Sequence, residues 1–175
     1  MRRLLLLRHA KTEVDAPSGR DVDRRLDPRG RDDAAIMGQW LSRQSHLPDV
    51  VLVSTAIRAR QTWDIVEAEL AKANKPVRAV HLDALYGAGP AELLESVQVD
   101  AAEMQTVMVI AHNPGLHELG FALTVTGNAA DRSALTDNMP TGAIATLEFA
   151  VDAWTDVHFR SGHLASFVTP KSLRG

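Results

Sequence analysis

Four side chains able to handle a phosphoryl group follow closely on three apolar runs. Leu4 to Leu7 leads into Arg8-His9, Val50 to Val53 leads through Ser54-Thr55 to Arg58, and Val107 to Ala111 leads into His112-Asn113. Guanidinium groups pair with phosphate oxygens through two hydrogen bonds at once and stay charged at any working pH. A neutral imidazole keeps one ring nitrogen free to attack phosphorus, and neighbouring arginines favour that neutral form by opposing another positive charge. The pattern assigns His9 as a nucleophile that takes a phosphoryl group onto itself. Arg8, Arg58 and a protonated, donating His112 would neutralise the equatorial oxygens, and water would release the phosphate in a second step. The arginines supply the charge a metal would otherwise bring, so the scheme expects no metal and no cofactor.

Each residue taken alone has a plainer account. A polar pair beyond a strand is usually solvated loop, a lone arginine on a helix is usually surface charge, and Asn113 reads equally well as a helix cap. Agreement of three strand ends shifts the weight to chemistry. His46, His81, His117, His158 and His163 show no paired ligand spacing, and Trp40 and Trp63 sit at core-facing helical positions. His158 reads as part of an exposed strand face with Asp156 and Arg160. Most of Arg20 to Arg31, where the charges mix in sign, reads as a solvated loop.

The three runs are continuous and mostly branched, as in strands covered on both faces, and ligands in such sheets sit beyond the strands' carboxyl ends. Helical patterns lie between them. One opens at Asp27-Pro28 and ends near Ser45; a second follows Ser54-Thr55 and ends near Asn74; others follow Gly89-Pro90 and Asn113-Pro114. Val77 to Leu82 reads as a further strand, and Thr126 to Gly142 as a long loop or short irregular helix. Ala143 to Ala150 and Trp154 to Arg160 read as a hairpin turning at Asp152-Ala153. The fold class expected is α/β: a three-layer α/β/α sandwich with a central, mainly parallel sheet, a C-terminal hairpin and no cap domain, forming one domain over residues 1–175.

Bulk properties narrow the partners. Apolar residues make up 45% and charged residues 23% of 175, as in globular proteins, and the net charge is -3 with no basic run that would hold nucleic acid. Absence of cysteine removes thiolate catalysis and disulfides. The N-terminal apolar run of four residues, Leu4 to Leu7, is too short for a secretion signal, which needs roughly 7 to 15. A cytoplasmic protein with neither a membrane nor a nucleic-acid partner is the expectation.

Leu7-Arg8-His9-Ala10-Lys11, the stretch Ser54 to Thr62 and Ala111-His112-Asn113-Pro114 resemble the histidine phosphatase superfamily, which includes the phosphoglycerate mutases. Asp21-Val22-Asp23-Arg24-Arg25-Leu26, the His-Asn-Pro-Gly stretch and Pro140-Thr141-Gly142-Ala143 resemble its SixA-type phosphohistidine phosphatases. The resemblance spans nearly the whole chain. It implies that Arg8, His9, Arg58 and His112 are the catalytic four, with Arg24 reaching substrate from its loop and Asn113 beside it. Many relatives carry an acid directly after the second histidine, where this chain has Asn113, or after the third strand, where Asp83 and Glu92 lack the surrounding pattern. An imidazole protonated on its other nitrogen leaves without such an acid, whereas an alkoxide needs one. Phosphohistidine on a protein, such as a histidine phosphocarrier or phosphotransfer domain, is therefore the expected substrate. A phosphatase or mutase for a small metabolite, and a non-catalytic module that binds phosphorylated ligands, are the alternatives.

Overall fold

The computed structural model describes residues 1–175. Strand β1 (Arg2–Arg8) lies at the middle of a seven-stranded sheet because both of its faces are apolar. Leu4 and Leu6 point into one hydrophobic cluster, while Leu5 and Leu7 point into the other. Full burial of a leucine is worth about 2 kcal/mol, so this short run anchors both layers.

Strands β2 (Val50–Ser54) and β4 (Thr106–Ala111) are buried along their whole lengths. With β3 (Arg78–Leu82) and β1 they form a parallel half in the order β3-β2-β4-β1. The sheet continues through β6 (Ile144–Phe149), antiparallel to β1, then β7 (Gly162–Val168) and the short edge strand β5 (Thr124–Gly127). The whole is a mixed, mainly parallel α/β sheet. Helices α1 (Pro28–Ser42), α2 (Ile57–Lys72) and α6 (Pro170–Arg174) cover one face. Helices α3 (Pro90–Asp100), α4 (Gly115–Leu123) and α5 (Ala129–Asp137) cover the other. No helix is long and apolar enough to cross a membrane.

The expected starts of α1 and α3 are observed, with proline in the first turn; Asp27 caps α1 by accepting from the Gly30 amide at 2.7 Å. Gly30 matters for a second reason: a Cβ there would meet the backbone of Lys11, so only glycine lets α1 pack against the segment that follows His9. Two readings are corrected toward the C-terminus. Thr126 to Gly142, expected as a long loop or short irregular helix, begins in β5 and continues into a regular helix of nine residues, α5, capped by Asn128. Trp154 to Arg160 is not the hairpin's second strand. Trp154 turns inward, 1% exposed, and donates its indole N–H to the Met104 carbonyl at 2.6 Å, so the chain makes a 3-10 turn over Trp154–Asp156. The strand that pairs with β6 starts later, at Gly162, and His158 lies in the turn before it, not on a strand face.

Candidate active site

The site forms where β1, β2 and β4 end. Arg8 is the last residue of β1, and its main chain is held on both sides. The Arg8 amide donates to the Ala143 carbonyl, and the His9 amide to the Ala111 carbonyl, which ends β4. His9 is 6% exposed, Arg58 6% and His112 8%, so three charge-bearing groups expected from the sequence are buried together. The His9 and His112 rings stand 5.3 Å apart between centroids.

A hydrogen bond to the main chain sets the tautomer of His9. Its Nδ1 lies 2.8 Å from the Ala10 carbonyl, an acceptor only, so Nδ1 carries the proton and Nε2 keeps its lone pair. The Ala10 amide in turn donates to Thr62 Oγ1, whose hydroxyl donates to the Arg58 carbonyl one turn back on α2. Thr62 therefore couples the loop after His9 to the helix that carries Arg58. Burial lowers the His9 pKa to about 3, with smaller contributions from His112, Arg58 and Arg8. The neutral form expected from the sequence is the one favoured here, but removal from water outweighs the arginines as its cause.

For His112 the protonated form is expected while a phosphoryl group is held, and the ligand-free ring differs from it. Burial first, and Arg58 second, lower its pKa to about 4, so it is neutral at physiological pH in the free protein. Its Nε2 is 2.7 Å from Ser54 Oγ at the end of β2. Its Nδ1 is buried without any hydrogen-bond partner, as are Arg8 Nε and Arg58 Nε. Buried nitrogens are nearly always paired, and only two other buried side-chain atoms in the chain, Arg2 Nε and Thr146 Oγ1, lack a partner. Two guanidinium N–H donors and an imidazole nitrogen, which donates when the ring carries a proton there, suit a ligand with several acceptor oxygens.

The loop before α1 supplies what the sequence reading missed. Asp21 binds Arg58 twice, through its carbonyl at 2.8 Å and its carboxylate at 3.0 Å. The same carboxylate accepts from Arg24 Nη1 at 3.1 Å and from the Tyr86 hydroxyl at 2.7 Å. These donors, Tyr86 first, hold the Asp21 carboxyl well below the usual carboxylate range, while Asp21 pushes the Tyr86 phenol upward. Tyr86 also sets its ring edge-on to His112, 5.5 Å away, with the Arg58 guanidinium 5.8 Å from its centroid. Asp21 was hidden in a mixed-charge run that read as solvent-facing. The signal available was the need of a buried arginine, Arg58, for a counter-charge.

Arg24 joins this network through Asp21 and is further tied to the Glu13 carbonyl and the Thr12 hydroxyl, so it stands at the rim. Asn113 acts as a brace: Oδ1 accepts from the His117 amide and Nδ2 donates to the Met139 carbonyl, which also accepts from Arg8. Asp83 is bound to the Thr55 hydroxyl at 2.6 Å, and Glu92 lines a separate cleft along α3.

The model of the histidine phosphatase superfamily, branch 1, matches residues 4–84. An uncharacterized Mycobacterium tuberculosis protein is 34% identical over 168 residues, covering 94% of this chain and 100% of its own. Among solved structures, a phosphohistidine phosphatase candidate, SixA, from Nakamurella multipartitia is 32% identical with a TM-score of 0.77, covering 97% of this chain and 96% of that one. The protein histidine phosphatase SixA complexed with tungstate is 26% identical with a TM-score of 0.71, covering 98% and 99%.

Proposed function

The chain belongs to the SixA-type branch of the histidine phosphatase superfamily, and from that premise we propose that it removes phosphate from phosphohistidine on a protein through a phosphohistidine formed at His9. The observation that carries this is the free Nε2 of His9, its ring 5.3 Å from that of His112, together with buried, unpartnered nitrogens on Arg8, Arg58 and His112. Tungstate, bound by a SixA relative, is a tetrahedral oxyanion of the kind such donors would hold.

His9 Nε2 attacks phosphorus in line, and the bond from phosphorus to the substrate nitrogen breaks as the new one forms. That nitrogen keeps the electron pair, and an imidazole protonated on its other nitrogen leaves as a neutral molecule. Arg8, Arg58 and the Nδ1 of His112 hold the equatorial oxygens. A dianion among them favours protonation of His112, reversing in the complex the pressure the arginines exert in the free protein. Water then attacks the phosphorus of phospho-His9, the bond to Nε2 breaks, and inorganic phosphate departs. The charge comes from the guanidinium groups, so no step calls on a metal.

The choice of phosphohistidine over an ester rests on the acid. Asp21 is the carboxylate that contacts the cradle, and three donors keep it ionised, so it has no proton to give an alkoxide. The connection from β3 to α3 is short, and Tyr86 on it is 40% exposed, which leaves the entrance open to a protein surface.

Two measurements test the proposal. Rapid denaturation in alkali during turnover of a labelled phosphodonor should trap label on His9, and His9→Ala should abolish both labelling and turnover. Release rates should then be compared between a phosphohistidine-bearing carrier domain and a panel of sugar phosphates and nucleotides. Full activity of His9→Ala refutes the covalent step; turnover confined to the small esters refutes the substrate.

A further inference from the structure

The chain has four phenylalanines, and their fates divide sharply. Phe149 and Phe167 are buried, whereas Phe121 and Phe159 are 57% and 46% exposed. Both exposed rings line one cleft of about 460 Å³, joined by Val125, itself 39% exposed. Single exposed apolar side chains are ordinary, but three around one concavity are not. Two arginines, Arg132 of α5 and Arg160 of the turn before β7, line the same cleft, and neither side chain forms an ion pair. The cleft is distinct from the candidate active site. It lies at the far end of α4, Phe121 being about 9 Å of helical rise beyond Gly115.

The cleft is also pre-shaped. Arg160 adopts a left-handed backbone, φ 61°, which costs a non-glycine residue about 1 kcal/mol or more. Its amide is fixed to the Ala122 carbonyl at 2.7 Å, and Ser161 Oγ closes the turn on the His158 carbonyl. Strain of this kind persists where the surroundings hold it, and here it holds Phe159 and Arg160 at the cleft. Aromatic residues and arginine are the types that dominate the centres of protein interfaces.

We propose that this cleft docks an acidic, amphipathic segment of a partner protein, its apolar side chains set against Phe121, Val125 and Phe159 and its carboxylates paired with Arg132 and Arg160. Charge selects this occupant: the chain as a whole is acidic, at -3, yet the cleft offers two unpaired cations. If the partner also carries the phosphoryl group, the cleft raises its effective concentration at His9 without touching the chemistry. Docking itself does not depend on that reaction.

The test is selection of random 12-residue displayed peptides on the immobilised protein, followed by fluorescence anisotropy of the enriched sequences. Enriched peptides should combine Asp or Glu with Leu, Phe or Trp, bind more weakly as salt rises, and lose at least about tenfold in affinity to the double variant Arg132→Glu/Arg160→Glu and to Phe159→Ser. Circular dichroism checks that the variants are folded. Turnover of a small phosphodonor should be unchanged in them, so loss of docking and failure of the catalytic reading give different results. Basic or neutral enriched peptides, or affinities indifferent to the variants, overturn the proposal. So does a dimer in sedimentation velocity that Phe159→Ser dissociates, which would assign the cleft to a second copy.

Discussion

The two halves of the sheet treat polar residues in opposite ways. At the ends of parallel strands β1, β2 and β4, arginine and histidine are buried, and their donors are left open to one another's neighbourhood. At the antiparallel side, around β5, β6 and β7, the cations Arg132 and Arg160 are exposed, and the residues beside them are aromatic. Parallel strands bring residues from distant parts of the chain to a single edge, and their covered faces keep water away. A site built there can hold neutral imidazoles and charged guanidinium groups side by side. The edge of the sheet cannot do this and offers surface instead.

The sharpest way to break this contrast is to remove one arginine from each half. Arg58→Ala takes away a buried donor that the proposed mechanism sets against the developing charge, and it should lower kcat/KM by about 10² to 10³. Arg132→Ala removes an exposed cation outside the site and should leave turnover of a small phosphodonor within error. Steady-state kinetics on the same donor measure both. Equal effects would mean that burial at the strand ends has no catalytic meaning.

Acid offers a milder probe of the same contrast. His9 and His112 take up protons in the folded protein only at about 3 and about 4, but near 6.5 in an unfolded chain. Between those values the unfolded state binds more protons, so stability falls as pH drops from about 6.5 toward 4, by up to roughly 1.4 kcal/mol per pH unit for each histidine. Thermal denaturation across this range should show the decline, and His9→Gln/His112→Gln should flatten it. An unchanged slope in the double variant would move the source of acid sensitivity away from the strand ends.

The contrast also governs what the sequence disclosed. Strands β1, β2 and β4 are unbroken apolar runs because both faces are covered, so the runs, their ends and the four residues after them could be read directly. Toward the β5 edge of the sheet the signal degrades. β5 is four residues long with two of them exposed, and Trp154 occupies the core from a 3-10 turn where alternation suggested a strand. Asp21 and Tyr86 were illegible for a different reason. Neither belongs to a periodic element, and each gains its meaning only from Arg58, which lies 37 residues after the first and is reached across the fold.

Tyr86 gives the smallest expected effect and the finest discrimination. Tyr86→Phe keeps the ring beside His112 and Arg58 and removes only the hydroxyl that donates to Asp21. Arg58 and Arg24 still hold that carboxylate, and the lost bond is partly exposed, so a net cost of about 1 kcal/mol, or a few-fold in kcat/KM, is expected. Tyr86→Ala should cost more, because the Arg58 guanidinium then loses the ring beside it as well. Kinetics with a phosphohistidine carrier and with a phosphate ester separate two roles for the hydroxyl. A positioning role predicts the same small loss on both. A loss on the ester approaching that of Arg58→Ala would make Tyr86 the proton donor to an alkoxide, and the argument that this site lacks an acid for esters would fail with it.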